Sequence, residues 1–388
     1  MTESFRIMAH RLFIAVVLIL VNVPQAGAQD GALYVAQPGQ VLKLMDHNGD
    51  GDFLDFAETT VYAEGLPADI GAIDGNTSRL FVVVADSATI LVIEDLNADG
   101  DALDFSEVAL YAALPEADPP PILAGLACHP DGILLTAEQT TNAVYRAEDL
   151  NGDGDALDLD ELFQVADGLS DPSALAARPD SLVLLAQQLT EIPVRILHDR
   201  TNDGDYQDFA ENISYAEDIP PGDDITAPLD HIAYMTRPAQ GLIVRLQDLT
   251  GDDDVLDYAE VVRYAENLSS PTAITHENAD SLFVTSQDAG GSIYHIRDLN
   301  ADGDALDFAE VVIVAEGLGQ MSGIVYVAAA CVKGDINGTG TVSIDDVPPF
   351  VEVLLGTLHL SDPCPADMNN DGQIDGADIQ SFIDVFLP

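Results

Sequence analysis

The chain has 388 residues, room for one large repeat domain and a small module, and sets 13 Lys and Arg against 68 Asp and Glu for a formal net charge of -55. That field repels nucleic acid and anionic membrane surfaces, so both are excluded as partners and cationic ones are expected. Residues 1–28 read as an export signal: Arg6 and Arg11 precede the apolar run Leu12 to Val23, and Ala26-Gly27-Ala28 gives a small-residue cleavage pattern before Gln29. The run falls short of the ~20 residues a helix needs to cross a bilayer. The mature chain is therefore expected to have no membrane span and to be secreted, extracellular or held at the cell surface.

From residue 29 to 330 one unit returns six times at a step near fifty, the mark of a repeat architecture in which a lone unit cannot bury its apolar face. Each unit alternates as short strands bounded by Gly, Pro, Asn or Asp. The last full interval reads EVVRYAENL, SPTAITHEN, DSLFVTSQD and SIYHIRDLN. Four strands repeated six times predict a mainly β fold, a six-bladed β-propeller. The first unit begins at GALYVAQPGQ without an innermost strand, and the spare segment MSGIVYVAAA follows the sixth loop. The two termini are expected to share that blade and close the ring, which removes exposed sheet edges. Strand order and the AEGL-type turn into each next blade resemble NHL and gluconolactonase-like propellers over residues 31–327.

Every unit carries one acidic loop between its third and fourth strands. The first offers Asp46, Asn48, Asp50, Asp52, Asp55 and Glu58; the second Asp95, Asn97, Asp99, Asp101, Asp104 and Glu107. The third offers Asp149, Asn151, Asp153, Asp155, Asp158 and Glu161, and the fourth Asp199, Thr201, Asp203, Asp205, Asp208 and Glu211. The fifth has Asp248, Thr250, Asp252, Asp254, Asp257 and Glu260, and the sixth Asp298, Asn300, Asp302, Asp304, Asp307 and Glu310. Acids at positions 1, 5, 7, 10 and 13 of six loops account for thirty of the 68 acids. Oxygen ligands at positions 1, 3 and 5, a turn glycine at 6, a carbonyl at 7 and a late carboxylate suit Ca2+, which takes six to eight oxygens. Transition metals are disfavoured because the register holds no Cys or His. The register departs from an EF-hand at its end, where the late acids fall at 10 and 13. Position 6 is Asp253 in the fifth loop. A large apolar residue at position 11 (Phe56, Phe105, Leu159, Phe209, Tyr258, Phe308) is read as a pin that packs the loop onto the sheet.

Residues 331–388 form a duplicated loop–helix unit, GDINGTGTVSIDDVPPFVEVLLG and ADMNNDGQIDGADIQSFIDVFL, which resembles the type I dockerin repeat. The resemblance implies a small α-helical, EF-hand-like module. Its first calcium loop would use Asp335, Asn337, Thr339, the Thr341 carbonyl, Ser343 and Asp346. The second would use Asp367, Asn369, Asp371, the Gln373 carbonyl, Asp375 and Asp378. The resemblance also implies docking onto a cohesin-like or other cell-surface protein, with a structural calcium cap as the other role. Thr339 stands where the family usually has an acid, so the first site is expected to be weaker. Cys331 and Cys364 are expected to pair in an oxidising compartment, adding about 3 to 4 kcal/mol by loop closure, and Cys128 to stay a buried thiol.

Two functions follow from these readings. One is a secreted calcium-binding propeller that binds a surface protein or glycan while the C-terminal module anchors it. The other is a hydrolase, lactonase or lyase acting on a carbohydrate-type substrate in the central channel, which residues such as Asp74, His129, Arg178, Asp224, His276 and Gln320 would enter. His129 and His276 are the general-base candidates there, with Asp74 and Asp224 beside them. No nucleophile elbow, zinc helix or phosphate loop is present, and the chain has no Trp.

Overall fold

The computed structural model describes residues 31–129, 132–188, 191–288 and 290–328, with short stretches between 333 and 386. The strands form six sheets, one per blade; in the first blade, β1 (Gly31–Gln37), β2 (Gln40–Leu44) and β3 (Thr59–Glu64) are joined by β24 (Gly323–Ala328) at the inner edge. The second is β4 (Ile70–Gly75), β5 (Leu80–Val84), β6 (Thr89–Ile93) and β7 (Val108–Ala113); the third β8 (Leu123–Cys128), β9 (Leu134–Glu138), β10 (Ala143–Ala147) and β11 (Leu162–Ala166). The fourth is β12 (Pro172–Ala177), β13 (Val183–Gln187), β14 (Val194–Leu197) and β15 (Asn212–Ala216); the fifth β16 (Ile225–Leu229), β17 (Ile232–Arg237), β18 (Leu242–Gln247) and β19 (Val261–Ala265). The sixth is β20 (Pro271–Asn278), β21 (Ser281–Ser286), β22 (Ser292–Arg297) and β23 (Val311–Glu316). All six are four-stranded. The chain is thus a six-bladed propeller, and the expected closure is realised: β24 pairs antiparallel with β1 from Gly31 against Ala328 to Ala36 against Gly323.

The apolar core lies between blades. Six buried clusters each join one adjacent pair, the seam between blades 6 and 1 included, where Leu33, Val35 and Phe53 meet Phe283, Ile293 and Val314. A second strand covered on both faces has no polar side to present, which is why β5, β9, β13 and β21 are buried at every residue.

One irregularity repeats in every blade. The ladder between third and fourth strands slips by one residue, and the bypassed residue is Tyr62, Tyr111, Val165, Tyr215, Tyr264 or Val314. A bulge of this kind leaves a backbone group outside the ladder.

Near the C-terminus, α1 (Val347–Leu354) and α2 (Asp378–Phe386) are the two α-helices among the described residues. Phe350 stacks on Phe382 at 4.0 Å between ring centroids, over Ile336 and Ala366. Pro348 falls in the first turn of α1, where a missing N–H leaves nothing unpaired. No helix among the described residues is long and apolar enough to cross a membrane. The expected export signal, Cys331 and Cys364, and the ligands Asp335, Asn337, Thr339, Thr341, Asp367, Asn369, Asp371 and Gln373 lie outside the described residues.

Candidate metal loops and the central channel

The loops follow one plan, set by their polar residues. The position 1 carboxylate accepts backbone N–H groups from across the turn; Asp46 takes those of Asn48, Gly49 and Gly51, at 3.2, 2.6 and 2.8 Å. The position 13 glutamate is buried in all six copies. It receives the position 10 N–H and one or two from positions 2 and 3, so a single carboxylate ties both ends of the loop. Glu260 takes Leu249 and Asp257, both at 2.9 Å, and Glu211 takes Arg200, Thr201 and Asp208 at 2.8, 2.9 and 3.1 Å. Burial acts to raise the Glu211 pKa, but these backbone donors outweigh it and hold the carboxyl below its usual range. In four loops the position 3 Asn donates to the acids at 5 and 10, as Asn48 does to Asp50 and Asp55 at 3.1 and 2.6 Å.

The packing residue is position 8. Phe53, Ala102, Ala156, Val255 and Ala305 are buried there, and Tyr206 is half-buried. The backbone N–H of each reaches the preceding blade: Phe53 donates to Val314, Ala102 to Tyr62, Ala156 to Tyr111, Tyr206 to Val165, Val255 to Tyr215 and Ala305 to Tyr264, at 2.7 to 2.8 Å. The acceptors are the six bulged residues. Every acidic loop is therefore a clasp that satisfies a carbonyl freed by the bulge next door. The expectation that position 11 is the pin is corrected. Phe56 is 100 % exposed and Leu159, the least exposed, 90 %. Left-handed backbone at position 12 (φ 71, 77, 71, 68, 71 and 71° from Ala57 to Ala309) closes a turn in which the Glu N–H meets the position 10 carbonyl, and this throws position 11 outward. None of the six is Gly, so each turn carries roughly 1 kcal/mol of strain. In the fifth loop Asp253 adopts the glycine conformation (φ 66°) and lies 3.8 Å from Arg178.

Carboxylate oxygens of Asp46, Asp50 and Glu58, and of Asp199, Asp203 and Glu211, lie within 4.8 Å of one another. The other four loops bring no such group together. In the sixth, Asp298 Oδ1 is buried with no hydrogen-bond partner, an oxygen aimed at nothing the protein supplies. An all-oxygen donor set with convergent carboxylates fits a hard divalent cation. Position 7 acids turn back on their own loop, as Asp52 accepts the Leu54 N–H at 2.9 Å.

A second set of charges lies beneath the loops, invisible in the spacing of the acids. Each blade but the last sends one cation under the next blade's loop. Lys43 donates to the Gly100 carbonyl at 3.1 Å and Arg146 to that of Gly204 at 3.4 Å. Arg79 approaches Gly154, Arg178 faces Asp253, and Arg245 lies so close to Gly303 that a Cβ there would come within 3.2 Å of its Nη1. In blade 6 the place held by Lys43, Arg146 and Arg245 belongs to His295. Burial first, and the charge of Arg297 second, push its pKa down to about 3, and its Nε2 pairs with Ser281 Oγ at 2.7 Å.

The channel candidates separate. A cavity of about 540 Å³ opens at the face where the inner strands begin, lined by small residues of those strands, Asp223, Asp224 and Gln320, with Gln139, Gln188 and Gln287 around it. Asp224 accepts the N–H of Ile225 and, from the next blade, that of Ile274, both at 2.9 Å. Burial raises its pKa to about 7, and the charges of Asp74 and Asp223 add to the rise. Asp74, in the opposite blade, accepts the Cys128 N–H at 2.7 Å; burial raises its pKa to about 6 and that of the Cys128 thiol well above its usual value. His276 Nδ1 pairs with Thr226 Oγ1 at 2.6 Å, and burial lowers its pKa to about 4. His129 sits in the β8–β9 hairpin with Nε2 2.8 Å from the Ser181 carbonyl, and Arg178 lies under the fifth loop. The four acid and base candidates are thus ties between neighbouring blades, and Asp224 alone among them lines the cavity. In the C-terminal stretch, buried Asp346 accepts the Ser343 N–H at 2.7 Å and buried Asp378 that of Asp375 at 2.9 Å, the same contact in both halves.

No protein-family model matches the sequence, and no curated protein matches it. Solved structures match the propeller. A chain of a nidogen/laminin complex is 13 % identical over 78 % of this chain and 100 % of its own, with a TM-score of 0.55. A 6-phosphogluconolactonase-type protein from Bacteroides uniformis is 13 % identical over 75 % and 82 %, with a TM-score of 0.50. A streptogramin B lyase is 15 % identical over 79 % and 89 %, with a TM-score of 0.47. At such identities the likeness shows the fold alone.

Proposed function

We propose that the protein is an exported, calcium-binding propeller that serves as a binding or scaffold module, and that its C-terminal unit, residues 331–388, is a dockerin-like anchor for a cohesin-like or other cell-surface protein. The observation that carries the calcium reading is the convergence of three carboxylates in the first and fourth loops. Ca2+ there would draw positions 1, 5 and 13 together, and Asp298 Oδ1 supports the same role in the sixth loop. Because each loop also clasps the preceding blade, ordering the loop would order the ring. Eight ions, one for each propeller loop and two for the C-terminal unit, would reduce the formal charge from -55 to -39. Metal binding then contributes mainly to folding.

The test is metal analysis joined to melting. At free calcium one hundred times Kd each site adds about 2.7 kcal/mol. Two complete sites then raise Tm by roughly 10 °C over the chelated protein. A chelated protein that holds no calcium and melts unchanged removes the reading.

A second reading is favoured by the channel cavity with Asp224, whose pKa near 7 suits a general acid or base. Hydrolase, lactonase or lyase chemistry on a carbohydrate-type substrate would be centred there. Turnover of sugar lactones that disappears in Asp224→Asn, with the variant still folded by circular dichroism at the assay pH, would establish it.

A further inference from the structure

The six residues at position 11 form a crown. Phe56, Phe105, Leu159, Phe209, Tyr258 and Phe308 stand 90 to 100 % exposed, one per blade. All lie on the same face of the ring, because the third-to-fourth connection falls on one side in every blade. Nothing in the packing asks for them. The loop is anchored by position 8 and tied by the buried glutamate, and each apolar tip is held out by a left-handed non-glycine residue at position 12. Strain repeated six times to keep an apolar side chain in water points to a surface with an occupant.

Charge decides which occupant. Each tip follows the position 10 Asp, and every loop carries five or six acids, one of them offset by Arg200 in the fourth; a divalent ion inside would still leave at least two negative charges per loop. Apart from the exposed Arg200 inside the fourth loop, cations near the loops are engaged by them, Lys43 and Arg146 with loop carbonyls and Arg178 with Asp253. A second copy at -55 and an anionic lipid surface are both repelled. Side chains with an apolar stem and a cationic head fit best, since the stem lies on the ring, the head reaches the carboxylate, and a cation over an aromatic face is itself attracted. We propose that this crown is the docking surface for a basic, lysine- or arginine-rich polypeptide, engaged at several blades at once. Each contact is weak alone, and their number supplies the affinity. The proposal rests on the reading of the propeller as a binding module and names its partner's chemistry.

The probe is poly-L-lysine of about 50 residues, titrated in 0.15 M salt against the full chain and against a variant with all six tips changed to Ser, which preserves every charge. The expected result is at least tenfold weaker binding by the variant at an unchanged Tm, with calcium and with chelator alike. Equal affinity overturns the proposal, because net charge alone would then bind the polymer. Tip-dependent self-association in light scattering, or tip-dependent binding to phosphatidylserine vesicles without tip-dependent binding of the polymer, also overturns it in favour of a second copy or a membrane. Metal content and the calcium-dependent melt report separately on the calcium reading.

Discussion

Phe53 and Phe56 stand three residues apart in one loop, and the structure gives them opposite consequences. Phe53 is 4 % exposed in the cluster that closes the ring, its ring 6.3 Å from that of Phe283 and its neighbours Leu33, Val314 and Met321 drawn from both termini of the propeller and from blade 6. Phe56 is 100 % exposed. Phe53→Ala removes transfer free energy and leaves a cavity, about 3 to 5 kcal/mol. That is a large share of the 5 to 15 kcal/mol that typically holds a domain together. Phe56→Ala should stay within about 0.5 kcal/mol of the parent. Urea unfolding of both variants, compared at equal m and repeated with calcium and with chelator, reads the difference directly. Equal losses, or a larger loss for Phe56→Ala, would refute position 8 as the anchor and the ring-closing role of this loop with it.

Glu260→Ala removes the acceptor of the Leu249 and Asp257 N–H groups in two part-buried contacts and should destabilise the protein by about 1 to 3 kcal/mol even in chelator; a loss seen with calcium alone would mean that the glutamate acts only through the metal. The Asp224 carboxyl, enclosed although the residue as a whole is half-buried, has its pKa raised from 3.8 to about 7. The folded state therefore binds the extra proton, and the associated stability is present below pH 4 and lost as pH rises through 7. Relative to Asp224→Asn, the parent should lose up to about 4 kcal/mol between pH 4 and 8, less whatever solvent at the channel mouth screens. Parallel pH profiles for the two proteins would contradict the enclosed carboxyl.

The propeller was legible because its signals are local and repeated. Period-two alternation, turn residues and a fixed step identify four-stranded units, and the missing inner strand at Gly31 with the surplus one at Gly323 foretells how the ring closes. The acidic register likewise shows which oxygens are on offer. What linear spacing cannot supply is direction. Phe53 and Phe56 are both apolar residues in an acidic stretch, and only the left-handed turn at Ala57 and the free carbonyl of Val314 in another blade determine which enters the core. Asp74, Asp224, His129 and His276 look like unpaired chemistry along the chain. Their partners come from adjacent blades about fifty residues away, so their roles as ties existed only once the ring was closed. By itself the sequence determined the repeat, the strand count and the donor chemistry, since each is written within one unit. Tertiary structure decided which side chains those units share, because a propeller buries its core and pairs its stray polar groups between blades.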